Sequence, residues 1–597
     1  MRAGSPSLGQ RSRFQVPAGS KPRPGSGPWP PVFPDRPAHG TPAQSLTRRD
    51  LLQGRPLTPT NGASSRARAI ADHVLPQRQI GAPTLPPLSV IAFNRMGFGP
   101  RPGDWTMWQG LGANDEARFQ AYVNQQLSPA TIDDSACDAR IAAGGFVTLN
   151  KSLRQLWQDH VIDNQGDYAW YVRPADETYH ATWLRAIYSK RQLLEVLADF
   201  WHNHFNVYAF DQAAPVFVHH DRDAIRANAL GNFRTLVEAV GSGTAMLFYL
   251  DNVYSTDGGP NENYARELFE LHTMGADAYL GHLDQGQVPL DPQGRPIAYV
   301  DEDVYEAARA FTGWTVNGTD WELPPYDPGP PERYVPGTFL GWDDWHDRFQ
   351  KHVLGTRLAS NQSPLADGQR VFDLLAAHPA TARHVCTKLC QRLIADEPPQ
   401  AVVDAAVATW LANLNAPDQI KKVVRTILLS NEFKTTWGQK VKRPLELVAS
   451  VLRGTGAEWV PDWDWNFYWW ISGLGQRLFE WPAPNGHPDR RTAWTSTSVM
   501  LHRWNVAGAL LENWLEPSVQ VNLLTQMPAN RTTPNQIVDW WIQRLMGRSI
   551  DADDRSEIVF FMAQGFDPDH ELPADQIADR LPSAVQLICM TPDFQYR

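Results

Sequence analysis

Cysteine is scarce in this 597-residue chain: four residues in all, Cys137, Cys386, Cys390 and Cys589, with no C-x-x-C pair among them. That excludes a disulfide framework and the common zinc and redox spacings. Cys386 and Cys390 stand one helical turn apart, a poor geometry for a bridge, and read as small core residues. A run of about 18 apolar residues is also missing. The longest candidate, Leu236 to Leu250, is interrupted by Glu238 and by Gly241-Ser242-Gly243, so it reads as a core helix and not a membrane span. Alternating strand patterns are scarce, a βαβ rhythm is absent and no repeat of solenoid period is visible. There is no Walker loop, no H-E-x-x-H, no dinucleotide glycine fingerprint and no G-x-S-x-G elbow. Common motifs therefore do not announce the chemistry.

What is there is an ordinary globular composition, 42% hydrophobic and 20% charged, long enough for two to four domains and a sizeable core. The net charge of −11 is unevenly spread, because residues 1–80 carry twelve Lys and Arg against three Asp. The remaining body is strongly acidic, which argues against a nucleic-acid partner whose phosphates it would repel. Residues 1–87 are dense in Pro, Gly, Ser and Arg without apolar periodicity and are expected to be disordered. Within them, Ser45-Leu46-Thr47-Arg48-Arg49-Asp50-Leu51-Leu52 has the look of a twin-arginine export signal. Gln53-Gly54-Arg55-Pro56 follows where an apolar stretch is needed, so the signal is incomplete and the chain as written is expected in the cytoplasm.

Order is expected from Leu88, in a mainly α, multi-helical globular unit with long loops. Helical periodicity marks Phe119–Leu127, Thr182–Phe205, Gly231–Val240, Glu262–Met274, Asp303–Trp314, Val371–Ala377, Ala380–Ile394, Ile420–Leu429 and Pro444–Arg453. Two portions follow from this reading, a helical core over 88–456 and a tryptophan-rich helical portion over 457–597 packed on it.

Four stretches carry candidate chemistry. On the first, 100° steps place Leu193, Leu197, Phe200 and His204 on one face, so His204 points inward as a hydrogen-bonded histidine. Glu195, Asp199 and His202 lie opposite and read as a solvated stripe. The second carries Asn263, Glu267 and Glu270 on one side and Tyr264, Leu268 and Leu271 on the other, with Gly275 closing the helix. Carboxylates one turn apart bind a metal, split an acid/base role, or face water. The third is His346-Asp347 with Lys351 in an aromatic loop, and the fourth is the rigid turn Pro482-Ala483-Pro484-Asn485-Gly486-His487-Pro488-Asp489.

Taken in order, the motifs add up. They are Asn94-Arg95-x-Gly97-Phe98-Gly99, Phe200-Trp201-x-Asn203-His204-Phe205 and Asn261-Glu262-Asn263-x-Ala265-Arg266-Glu267-x-x-Glu270-Leu271-His272-Thr273. Then come Asp303-Val304 with Ala308-Arg309, Phe311-Thr312-Gly313-Trp314, His346-Asp347-x-x-x-Lys351, Lys442-Arg443-Pro444-x-Glu446 and Pro482-x-Pro484-x-Gly486-x-Pro488-Asp489. From about Leu88 to Arg597 the chain resembles the bacterial family of domain of unknown function 1800. The resemblance implies no established activity. It implies export in many members, and a neighbouring sulfatase-like protein as a candidate partner.

Two readings follow. In the first the chain is an enzyme in which His204, Glu267, Glu270, His272, His346 and Asp347 act at a shared site. Asn263, Arg266, Lys351, His487 and Asp489 then bind substrate, and His204, Glu267 and Glu270 are the donor set for a divalent metal ion. Its reaction is metal-assisted hydrolysis or oxidation. In the second the chain is a binding or assembly protein whose polar interior is structural and whose tryptophan-rich segment is a contact surface. Convergence on an accessible cavity favours the first reading, and mutual satisfaction in a sealed interior favours the second.

Overall fold

The computed structural model describes residues 85–281, 283–318, 335–461, 463 and 465–597. The expectations for residues 1–84, the disordered segment and the export signal, lie outside the described residues. Helices dominate the rest, as the periodicity requires. Those that position the site are α1 (Leu88–Arg95), α2 (Tyr168–Tyr188), α3 (Gln192–His204), α4 (Thr244–Tyr249), α5 (Glu262–Glu267), α6 (Asp301–Ala310), α7 (Pro379–Leu393) and α8 (Pro444–Thr455). Among the described residues the strands are short antiparallel pairs: β1 (Trp314–Val316) with β2 (Phe339–Gly341), β3 (Lys351–Val353) with β4 (Thr356–Leu358), and β5 (Glu458–Trp459) with β6 (Val519–Gln520). No described helix is long and apolar enough to cross a membrane.

Local chemistry explains the helix ends. Pro379 and Pro444 occupy first turns, where their missing N–H costs nothing. The His378 side chain accepts from Ala380 N, and Gly456 ends α8 at φ 65°, a conformation that suits glycine. All twelve residues of α8 are buried, so it forms the axis of the molecule. One apolar core runs from Val90 to Phe594 and takes side chains from both 88–456 and 457–597. The tryptophan-rich segment folds against α2, where the His180 ring lies 4.5 Å from Trp463 and 6.2 Å from Trp459.

Three helical expectations are corrected. Thr182–Phe205 is two helices, broken at Ser189-Lys190-Arg191, where Asp134 accepts from Ser189 Oγ (2.6 Å) and Lys190 N (2.7 Å). Asp303–Trp314 is helical only through Ala310, because Gly313 at φ 74° turns the chain into β1. Glu262–Met274 is α-helical through Glu267, and Leu268–His272 then winds as a π turn. The expected solvated stripe is also corrected. Glu195 and His202 are buried and Asp199 is nearly so, because loops and α8 cover that face and supply counter-charges.

Candidate functional site

The His346-Asp347 motif lies in a sealed knot between α6, β3 and the helix that carries Asp367. The His346 Nδ1–H donates to the Thr312 carbonyl at 2.8 Å, and Nε2 faces Asp367 at 3.2 Å. The Lys351 ammonium donates to Asp367 (2.8 Å) and to the carbonyls of Asp347 (2.5 Å) and Phe349 (3.0 Å). Asp347 is gripped by the Arg309 fork at 2.7 and 3.1 Å. Burial would raise its carboxyl, yet Arg309 holds it below the ordinary range. His346, Asp347, Lys351 and Asp367 are all buried, and each has its partners. The motif residues Arg309, Thr312, His346, Asp347 and Lys351 therefore meet as a structural unit.

A second network joins α3, α7 and α8. Asp199 takes ion pairs from Arg392 and Arg443, and Glu446 takes them from Arg392 and from Arg597 (2.8 Å). Lys440 pairs with Asp396 at 2.8 Å and Asp489 at 3.5 Å. Burial alone would raise the Glu446 carboxyl, but the surrounding guanidinium groups hold it far below its usual range. Beside this network Glu195, His202, Asp221 and Arg226 line a cavity of about 20 Å³, enough for one water. Its floor is another set of pairs, with Arg226 forked on Glu195 and His202 Nε2 at 2.9 Å from Asp221.

The third assembly is different in kind. The 481–489 loop is clamped to the end of α3 by Asn203, whose amide donates to the His487 carbonyl (2.8 Å) and whose Oδ1 accepts from His487 N (2.7 Å). Asn206 donates to the carbonyls of Trp481 (2.9 Å) and Ala483 (2.8 Å). Gly486, at φ 71°, lies so close that a Cβ would overlap the Asn203 carbonyl oxygen. Next to this clamp the apolar face of α3 carries His204 into the interior, as its periodicity predicts. His204 Nε2–H donates to the His272 carbonyl (3.0 Å), and His384 Nε2–H donates to the preceding carbonyl, Leu271 (3.1 Å). Both accepting carbonyls belong to the π turn. Gly275 is required here, since a Cβ would meet His384 Nδ1 at 2.5 Å.

Because carbonyls only accept, both imidazoles carry their proton on Nε2 when neutral. Among the described residues His204 Nδ1 is then a bare acceptor with no partner, and His272 Nε2 is also unpartnered. Burial, followed by the charge of Lys388, lowers His272 to about 3 and His384 to about 4, and holds His204 well below the usual value. Lys388 stands one turn beyond His384 on α7. Among the described residues no hydrogen bond or ion pair holds its ammonium, and burial lowers it to about 8 against the opposing influence of Asp489. Glu267 and Glu270 are half-buried and likewise lack a bonded partner among the described residues. Burial, with the neighbouring Glu270 charge, raises Glu267. The Glu267 charge acts on Tyr249, at the end of α4, whose hydroxyl donates to the Pro482 carbonyl at 3.0 Å. One loop thus reaches Glu267 at its start and Lys388 at its end.

The predicted residues are distributed over these assemblies. His204 and His272 meet at the rim of the loop, with Glu267 and Glu270 on the same segment as His272. His487 turns its Nε2–H to the Arg477 carbonyl (3.1 Å), and burial lowers it to about 4. Asp489 bridges Lys440 and Arg443. Asn263 is exposed, and Arg266 pairs with Asp301 at 3.0 Å, tying α5 to α6. His346, Asp347 and Lys351 belong to the sealed knot. His204 bonds to main chain and to neither carboxylate, and no three His, Cys, Asp or Glu among the described residues are grouped to hold a metal ion. A cavity of about 380 Å³ in the C-terminal portion, lined by Glu512, Glu516, Leu581 and Pro582, includes none of these side chains.

Sequence reasoning missed His384, Lys388 and Arg392. Their signal was present, as polar residues at i, i+4 and i+8 form a stripe along a helix otherwise filled by Val385, Cys386, Leu389 and Cys390. No curated protein and no solved structure matches this chain. A family model matches residues 91–596, the span that holds these motifs, and the chain belongs to that family, described as Protein of unknown function (DUF1800).

Proposed function

We propose that the protein is an enzyme working by proton transfer at the rim formed by α5, the π turn, α7 and the 481–489 loop. Glu267 and Glu270 are its acid–base pair, and Lys388 with the three imidazoles forms its polar floor. One observation carries the reading. The His346 knot is internally satisfied and the charges of the arginine network are paired with carboxylates, whereas among the described residues this rim collects Lys388, Glu267, Glu270, His204 Nδ1 and His272 Nε2 without bonded partners. Glu267, whose carboxyl is raised by burial and by the neighbouring Glu270 charge, is the general acid, and Glu270 serves as the base. Hydrolysis by this pair needs no metal, and the ammonium of Lys388 disfavours a cation beside His204 and His272.

The test is a panel of chromogenic esters, phosphates, sulfates and glycosides, assayed with the full chain and with Glu267→Gln. Turnover of one class, lost in the variant at an unchanged melting temperature, is the expected result. Absence of turnover across the panel overturns the reading in favour of a binding or assembly protein, which the sealed knots favour. Elemental analysis is the companion measurement. A stoichiometric metal lost in His204→Ala overturns the metal-free form of the mechanism.

A further inference from the structure

The neighbours of Lys388 pose an electrostatic question that the enzyme reading leaves open. Arg392, Lys440, Arg443 and Arg597 each have a carboxylate in contact. Lys388, on the same helix face as Arg392, has none among the described residues. Its surroundings are His384 on its own helix, His204 from α3, His272 from the π turn and Asp489 from the loop. The imidazoles are neutral, and Asp489 is already shared by Lys440 (3.5 Å) and Arg443 (3.6 Å). A half-buried positive charge therefore remains without a contacting carboxylate among the described residues, inside a protein of net charge −11. Removal from water without a counter-ion is costly, and the cost is recovered when an anion completes the pair. A second observation points the same way. His204 and His272, 1% and 4% exposed and both acted on by this ammonium, keep ring nitrogens without partners among the described residues. Unprotonated, such a nitrogen accepts a hydrogen bond from a hydroxyl or amide of a ligand that the charge has drawn in.

We propose that Lys388 is the anchor of an oxyanion-binding site, and that the ligand is a small molecule bearing a carboxylate, phosphate or sulfate group together with a hydrogen-bond donor. This inference uses the placement of the site proposed above and names its substrate class. It does not depend on Glu267 being an acid.

Sulfate is the probe, because its charge is constant across the relevant range. Calorimetric titration of the full chain should show binding at pH 7 that weakens roughly 30-fold at pH 9.5, as a lysine titrating near 8 loses its proton. Lys388→Met should abolish binding. Lys388→Arg should retain it and lose the pH dependence, which keeps the test valid even where the Met variant fails to fold. Undiminished sulfate binding by Lys388→Met, a flat wild-type pH profile, or no sulfate binding at all would overturn the proposal. Sulfate binding without turnover of any panel substrate would leave this site standing and remove the enzyme reading alone.

Discussion

The knot around His346 and the rim around Lys388 are built from the same residue types: histidine, lysine, carboxylates and main-chain carbonyls. They differ in how the groups are satisfied. In the knot, Lys351 has Asp367 and two carbonyls, and Asp347 has a forked arginine. At the rim, Lys388 has no bonded partner among the described residues, and two imidazoles each keep an unpartnered ring nitrogen there. A buried polar cluster with every group paired rigidifies a fold, while one left incomplete holds unspent binding capacity. Motif membership therefore does not distinguish these two regions; satisfaction of their polar groups does.

The sharpest way to break the comparison is Asp367→Ala. It strands the buried Lys351 ammonium and is expected to cost about 3–5 kcal/mol in urea unfolding. A loss below about 1 kcal/mol would mean the knot is not holding the fold.

Acid is the next largest lever, and at the rim it acts through His272 and His384. His272 and His384 are folded with values depressed to about 3 and about 4, so the unfolded chain binds more protons below its usual histidine range. Their contribution is fully present above pH ~6.5 and is lost as pH falls toward those values, at up to about 1.4 kcal/mol per pH unit for each imidazole. Unfolding midpoints at pH 7, 6 and 5 should fall accordingly, and His384→Gln should flatten the slope. A midpoint independent of pH would contradict the buried neutral state.

Gly486→Ala sharpens the role of the loop. The added methyl meets the Asn203 carbonyl from a left-handed backbone, and a cost of about 1–3 kcal/mol with faster proteolysis near residue 486 is expected. Wild-type stability would show that the clamp yields freely.

Glu267→Gln has the smallest expected effect on the fold, within about 0.5 kcal/mol, because no partner among the described residues is lost. Its effect is expected on turnover. A large stability loss instead would place Glu267 with the knot and not with the rim.

Several features follow from residue order alone. The mainly helical class, the inward aim of His204 on the Leu193, Leu197 and Phe200 face, the burial of Cys386 and Cys390 and the closure by Gly275 are local consequences of periodicity and backbone preference. Helix breaks were harder to read. The break at Ser189 depends on Asp134, more than fifty residues away, and the π turn at Leu268–His272 leaves the apolar pattern almost unchanged. The partners of each polar group were decided only by tertiary structure. Glu195, Asp199 and His202 carry the pattern of a solvated stripe until Arg226, Arg443 and Asp221 arrive from distant segments to make their burial tolerable. Likewise nothing local to Lys388 indicates that it lacks a counter-ion, because that depends on which carboxylates the other helices have already spent. Periodicity is a property of neighbours in sequence, whereas charge compensation is a sum over neighbours in space, and only the packed chain evaluates it.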